Sequence, residues 1–321
     1  MGEINSEYNT LENRFFDLYG RKEYNEARKL IEQMLRDYPH KAGTLYNYTY
    51  CARNLAGDSD GALDLMEEAA DKGYWSDPEQ LAQDEDIANL RDNPRFRKVL
   101  ERYSVLAHEA RINSKPALKI IEPSELATGN SGPFPLVLAF HGNNQSADDA
   151  IEQWKFMSEK GWIVALPQSS QITMPGAYVW NDLDVAVPEI KGHYEALLDK
   201  YNVDTERIII AGFSKGGALA ATVCLEQSVP CRRFVLMGPY LGDLKGLDGM
   251  VEAFSSGKGK DCIFVGENDS DCIEGAKKLH SMLKDQGVDS RLEIIPGLAH
   301  AYPEDFNKKL EKNISFLLEP L

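Results

Sequence analysis

The stretch Gly212-Phe213-Ser214-Lys215-Gly216-Gly217 sets a serine between glycines, after the apolar run 207–211 and before the alanine-rich run 218–223. G-x-S-x-G between a strand and a helix suits a nucleophile. The turn is too tight for side chains at the glycines, it lifts the hydroxyl above the sheet edge, and the helix aims its first N–H groups at developing negative charge. A serine needs a base, and the base needs an orienting carboxylate. Asp269, in Gly266-Glu267-Asn268-Asp269, and His300, in Pro296-Gly297-Leu298-Ala299-His300, follow in that order. Glu267 and Asp271 stand two residues either side of Asp269 and compete for its role. Of six histidines, His40 and His108 fall in a helical region, and His193 and His280 lie within helical patterns. His141 precedes Gly142 after an early strand and suits a loop-shaping role. His300 follows the last strand.

Seven short apolar runs, at 117–121, 136–140, 162–166, 207–211, 234–237, 262–265 and 292–295, alternate with helical patterns at 148–160, 187–201, 215–227, 271–286 and 303–318. Near-continuous Val/Ile/Leu runs predict parallel strands covered on both faces, hence a doubly wound, mostly parallel α/β sheet. Ser214, Asp269 and His300 each follow a strand, and loops at that edge converge.

These pieces resemble the α/β-hydrolase family over 116–321, within it the phospholipase/carboxylesterase and dienelactone-hydrolase-like group. GFSKGG is similar to that group's GFSxGG elbow, and GLAHAYP to its histidine loop. The resemblance implies a serine hydrolase (EC 3.1) that cleaves a small-molecule carboxylic ester or thioester through an acyl-enzyme, with no cofactor and no metal. It implies oxyanion donors from the N–H groups of Asn143, after His141-Gly142, and of Lys215, after the nucleophile. Lys215 departs from the group, which often has glutamine there, and puts a cation beside Ser214. The segment 238–261 has room for one short helix, near 247–254, and none for a cap domain. The segment 168–187 reads as a loop over the site. In it Trp180, like Gly142 nearby in function, is a candidate substrate-binding residue; Trp180 forms a pocket wall or plugs the loop to the core.

Residues 1–112 read as an all-α domain, with a polar link near 111–116. The segments around Ala27 and Ala62 carry the same apolar spacing, roughly 35 residues apart, which resembles the tetratricopeptide repeat. Thr49, Tyr50 and Arg53 depart from that pattern. Such a domain offers a groove for a peptide or protein partner, or covers part of the second domain. With 51 acidic against 35 basic residues, a formal charge of -16 disfavours nucleic acid and anionic lipid. The sequence predicts no membrane span, and five cysteines without a CxxC pair fit reduced thiols in a cytoplasmic protein. Two other readings compete: a prolyl-oligopeptidase-like peptidase, and a non-catalytic interaction protein using the helical repeats.

Overall fold

Each of the seven apolar runs becomes a strand of one sheet. The computed structural model describes residues 2–127, 129, 131–242, 246–255 and 259–319. Its strands are β1 (Ala117–Ile121), β2 (Phe134–Phe140), β3 (Ile163–Gln168), β4 (Ile172–Met174), β5 (Ala177–Tyr178), β6 (Val203–Phe213), β7 (Arg233–Met237), β8 (Lys260–Gly266) and β9 (Asp289–Ile295). The large sheet has the order β1-β3-β2-β6-β7-β8-β9, parallel except for β1, which runs antiparallel to β3. All seven residues of β2 are buried, as are all of β7 and β8, because both faces are covered.

Alternation along these strands divides two cores. Leu136, Leu138, Phe140, Ile208, Ile210, Phe234, Leu236 and Ile263 face one; Val137, Ala139, Ile209, Ala211, Val235, Met237 and Phe264 face the other. Fully burying one such side chain contributes about 1.5–3 kcal/mol. The first core is closed by α9 (Leu183–Lys200), α10 (Lys215–Leu225), α11 (Leu247–Ser255) and α12 (Ile273–Asp285), the second by α8 (Ala147–Trp154) and α13 (Phe306–Leu318). The sequence places the start of α9 at Val187. The helix starts at Leu183 instead, where the Asp182 carboxylate accepts the N–H of Asp184 and fixes the first turn ahead of Pro188.

The helical region contains α1 (Gly2–Gly20), α2 (Tyr24–Asp37), α3 (Ala42–Leu55), α4 (Ser59–Asp71), α5 (Pro78–Gln83) and α6 (Pro94–Asn113); a one-turn α7 (Ser124–Ala127) follows β1. Ala27 on α2 and Ala62 on α4 are both fully buried. Tyr8, Phe15, Ile31, Met34 and Leu45 pack α1 against α2 and α3, and Tyr50, Leu63, Met66, Val99 and Tyr103 pack α3, α4 and α6. The departures from the repeat pattern have partners of their own, Tyr50 OH bonding Ser76 Oγ and accepting from Asn47. Thr49 Oγ1 donates to the Leu45 carbonyl, and Arg53 Nε donates to Glu32 Oε1 at 2.7 Å, tying α3 to α2.

The chain divides into two units between Ser114 and Lys115, with one exchange the sequence reading lacks: 172–178 belongs with the helical unit. This segment is the β4–β5 hairpin, turned at Pro175-Gly176 with Gly176 at φ +83. Ile172 packs into the helical core. A Cβ at Gly43 on α3 would lie 2.1 Å from the Pro175 carbonyl oxygen, so only glycine permits that approach. The expected loop over the site is therefore, at its centre, a piece of the helical unit. Among the described residues no helix is long and apolar enough to cross a membrane.

Candidate active site

Ser214 stands between β6 and α10 with φ 55 and ψ -120, backbone strain that costs on the order of 1–3 kcal/mol and persists only where neighbours enforce it. The enforcement is visible. Ser214 N–H donates to the Met237 carbonyl, and Tyr240 N–H donates to the Ser214 carbonyl, both at 3.0 Å. A Cβ at Gly212 would sit 2.2 Å from the Gly216 oxygen, and one at Gly216 2.3 Å from the His141 oxygen. The glycines of the elbow are therefore required by backbone on three sides. The first N–H groups of α10 lie before any intrahelical acceptor can reach them.

His300 Nε2 lies 2.9 Å from Ser214 Oγ, and its Nδ1 lies 2.7 Å from Asp269 Oδ2. The Asp269 side chain is 2% exposed, whereas that of His300 is 40% exposed; the carboxylate is shielded and the imidazole faces the open side. Between the three acids that compete in the sequence, geometry chooses. Glu267 Oε2 accepts the N–H of Gly297 at 2.9 Å, and Asp271 is exposed beside Ser270. The structure brings Ser214, His300 and Asp269 together as one hydrogen-bonded chain, a geometry that can pass a proton from a hydroxyl to an imidazole held by a carboxylate.

Four further residues shape this chain. Phe213 stacks on the His300 ring, with centroids 4.7 Å apart, and Tyr302 lies 4.9 Å from Phe213. Gly238, with φ +49, would place a Cβ 3.0 Å from Asp269 Oδ2 and 3.3 Å from His300 Nδ1. Cys272, fully buried, lies with Sγ 3.6 Å from His300 Nδ1; burial, with the Asp269 charge beside it, pushes its thiol pKa up. Sequence reasoning missed these roles. A signal existed for two: Gly238 follows a strand at the edge where the other loops converge, and Cys272 lies one helical turn beyond Asp269. Gly266 does similar work, since a Cβ there would meet the Leu298 and Ala299 oxygens at 2.3 and 2.4 Å.

The remaining candidates fall differently. Asn143 is exposed on the loop after β2, and Lys215 opens α10. The Lys215 ammonium lies 4.5 Å over the Tyr240 ring, a cation–π contact. Gly142 is a packing position: its N–H donates to Gln145 Oε1 at 2.8 Å, and a Cβ would collide with Gln145 and Phe213. Trp180 takes the plug position and not the wall. It is 3% exposed, donates from Nε1 to the His141 carbonyl at 3.0 Å, and lies 4.7 Å from the His141 ring. His141 is correspondingly a loop-shaping residue, with Nδ1 2.8 Å from the Gly142 carbonyl oxygen and its pKa lowered by burial to about 4.

Comparison with other proteins agrees with this fold. Residues 7–111 match the family described as A/B hydrolase-like, N-terminal domain. An uncharacterized protein from Bacillus cereus ATCC 10987 is similar over 97% of this chain and 98% of its own, with 26% identity and a TM-score of 0.56. Esterase PE8 is similar over 64% of this chain and 100% of its own, with 21% identity and a TM-score of 0.53. Porphyromonas gingivalis dipeptidyl peptidase 4 aligns over 64% of this chain but only 33% of its own, with 15% identity and a TM-score of 0.51. No curated protein sequence matches the chain. The chain therefore has the α/β-hydrolase fold, and ahead of the sheet its residues 7–111 are similar to the A/B hydrolase-like N-terminal domain.

Proposed function

We infer that the protein is a serine hydrolase that cleaves carboxylic esters or thioesters of small molecules through an acyl-enzyme on Ser214. The observation that carries this reading is the continuous run from Ser214 Oγ through the His300 ring to Asp269 Oδ2, at 2.9 and 2.7 Å, starting from a strained elbow at a helix N-terminus. His300 Nε2 takes the hydroxyl proton as Ser214 Oγ bonds to the acyl carbon. Asp269 holds the Nδ1–H tautomer and stabilises the imidazolium. The N–H groups of Lys215 and Asn143 receive the oxyanion, and removing one such donor typically costs about 10²–10³ in rate. Collapse breaks the bond to the leaving alcohol or thiol, which takes the proton from His300; water then repeats the sequence on the acyl-enzyme. The fold shared with an esterase supports the same class.

A fluorophosphonate probe tests this directly. Wild type becomes covalently labelled and Ser214→Ala does not, and a panel of p-nitrophenyl esters of rising acyl length is turned over by wild type alone. Equal labelling of both proteins would overturn the reading. Turnover of dipeptide anilides with no turnover of esters would move it to the peptidase class.

A further inference from the structure

We propose that Cys272, His300 and Asp269 form a binding site for one soft divalent ion of the Zn²⁺ or Cd²⁺ type, and that its occupation switches the hydrolase off. The inhibitory half rests on the serine-hydrolase reading; the binding half does not. The ligand atoms Sγ, Nδ1 and a carboxylate oxygen all lie within 4.8 Å of one another. A tetrahedral zinc with bonds of about 2.3 Å to sulfur and about 2.0–2.1 Å to imidazole nitrogen requires an S···N edge of roughly 3.5 Å. The Cys272 Sγ to His300 Nδ1 distance is 3.6 Å. The Nδ1 to Asp269 Oδ2 edge, 2.7 Å as a hydrogen bond, has to open by roughly half an ångström to hold the metal instead.

The three ligands sit on well-anchored backbone. Cys272 N–H and Ile273 N–H both donate to the Asp269 carbonyl, at 3.2 and 3.0 Å, so thiol and carboxylate share one turn. His300 arrives on the loop after β9 and is held by the Phe213 ring. Cys272 and Asp269 are buried and the His300 side chain is 40% exposed, so the ion would enter from the His300 side, with water as its fourth ligand. Thiolate and imidazole select zinc and cadmium over magnesium and calcium, which prefer all-oxygen sites.

Occupation disables the base through the tautomer it imposes. The working imidazole carries its proton on Nδ1, facing Asp269, and keeps the Nε2 lone pair for the Ser214 proton. With the metal on Nδ1 the ring proton resides on Nε2, 2.9 Å from Ser214 Oγ, and no lone pair is left to accept the serine proton. The Cys272 thiol proton leaves to solvent as the metal–sulfur bond forms, so one proton is released and no redox change occurs.

Titrating Cd²⁺ into wild type, Cys272→Ala and Cys272→Ser, and following the thiolate-to-metal charge-transfer absorption in the ultraviolet, tests binding. Fluorophosphonate labelling and ester turnover in Zn²⁺, each relative to the same protein in EDTA, test the switch. Wild type shows one equivalent of a band that both variants lack, and its labelling falls at least tenfold in Zn²⁺ and returns with EDTA. The variants need at least about tenfold more Zn²⁺ for the same effect, and Mg²⁺ has none. An identical band in all three proteins, or equal Zn²⁺ sensitivity, overturns the proposal. Should both cysteine variants fail to fold, His300→Gln decides by the same band: wild-type affinity there overturns it, and weakened affinity supports it. Absence of labelling and turnover in metal-free wild type strikes the hydrolase reading, whereas the cadmium band still reports on the site.

Discussion

Strands β8 and β9 carry a serine–histidine–aspartate cluster at each end, and the two are wired in different orders. Beyond their carboxyl ends the run is Ser214, His300, Asp269, with the imidazole in the middle. At their amino ends Ser290 Oγ donates to Asp261 Oδ1 at 2.8 Å, and His280 Nδ1 lies 2.8 Å from the same Ser290 oxygen. There the serine is in the middle. Its proton is already committed to a carboxyl group, its residue lies within a strand, and no helix N-terminus accompanies it. Asp261 is fully buried, its Oδ2 has no hydrogen-bond partner, and burial pushes its pKa well up. The same three residue types thus give a hydrogen-bonded run with the imidazole between serine and carboxylate in one place and a buried link centred on the serine in the other. What separates them is which group stands between the other two, and whether the backbone lifts the serine out of the sheet.

The largest test of that contrast exchanges serines. Ser214→Ala lowers kcat/KM for an ester by about 10³-fold or more, whereas Ser290→Ala stays within about twofold, as steady-state kinetics on purified proteins will show. Next comes the carboxylate: Asp269→Asn loses about 10³-fold in kcat by failing to hold the Nδ1–H tautomer, and Asp261→Asn leaves kcat unchanged. Gly238→Ala lowers kcat about 10- to 100-fold with little change in KM, because its Cβ pushes on Asp269 and His300 at φ +49. Lys215→Gln changes the ratio of rates on anionic and neutral esters by less than about threefold, since the ammonium lies over Tyr240 and in water-screened surroundings. At Asp261 the expected effect is on stability alone. The unfolded carboxyl ionises near pH 4, while the folded one holds its proton to higher pH. The folded state binds more protons, so wild-type stability falls as the pH rises above about 4. Thermal unfolding across pH will show Asp261→Asn gaining on wild type over that range, and a constant difference would remove the buried acid from the account.

Much of this was legible in the chain before any coordinates. Buried parallel strands announce themselves as apolar runs, so all seven sheet strands appeared, with ends a few residues short where polar residues such as Asp204 and Glu206 extend β6. Ser214 and His300 were legible because each needs a specific local setting, a glycine elbow and a loop after the last strand. Asp269 was favoured over Glu267 and Asp271 but not singled out by any local signal, since the distinction depends on which carboxylate faces back toward Gly238 and which turns to the Gly297 amide. The β4–β5 hairpin was missed for a different reason. Strands of three and two residues carry no periodicity, and their partners lie far away in sequence on α3 and α6. Trp180 left both of its readings open because an indole flanked by polar residues fits a pocket wall and a core plug equally well, and only its bond to the His141 carbonyl separates them.

That hairpin also dictates an order of assembly. On the ribosome α1 to α6 emerge first and can begin to associate, as domains near the N-terminus generally do. Their unit is nevertheless incomplete until Ile172–Tyr178 has been made, and before that point β1, β2 and β3 have already been synthesised. A chain interrupted between Ser114 and Ile172 leaves Gly43 without the Pro175 it packs against. A genetic cut at the polar link after Ser114 therefore yields a helical fragment without its 172–178 hairpin and a sheet fragment that carries the hairpin, and a fusion or truncation designed there inherits the defect.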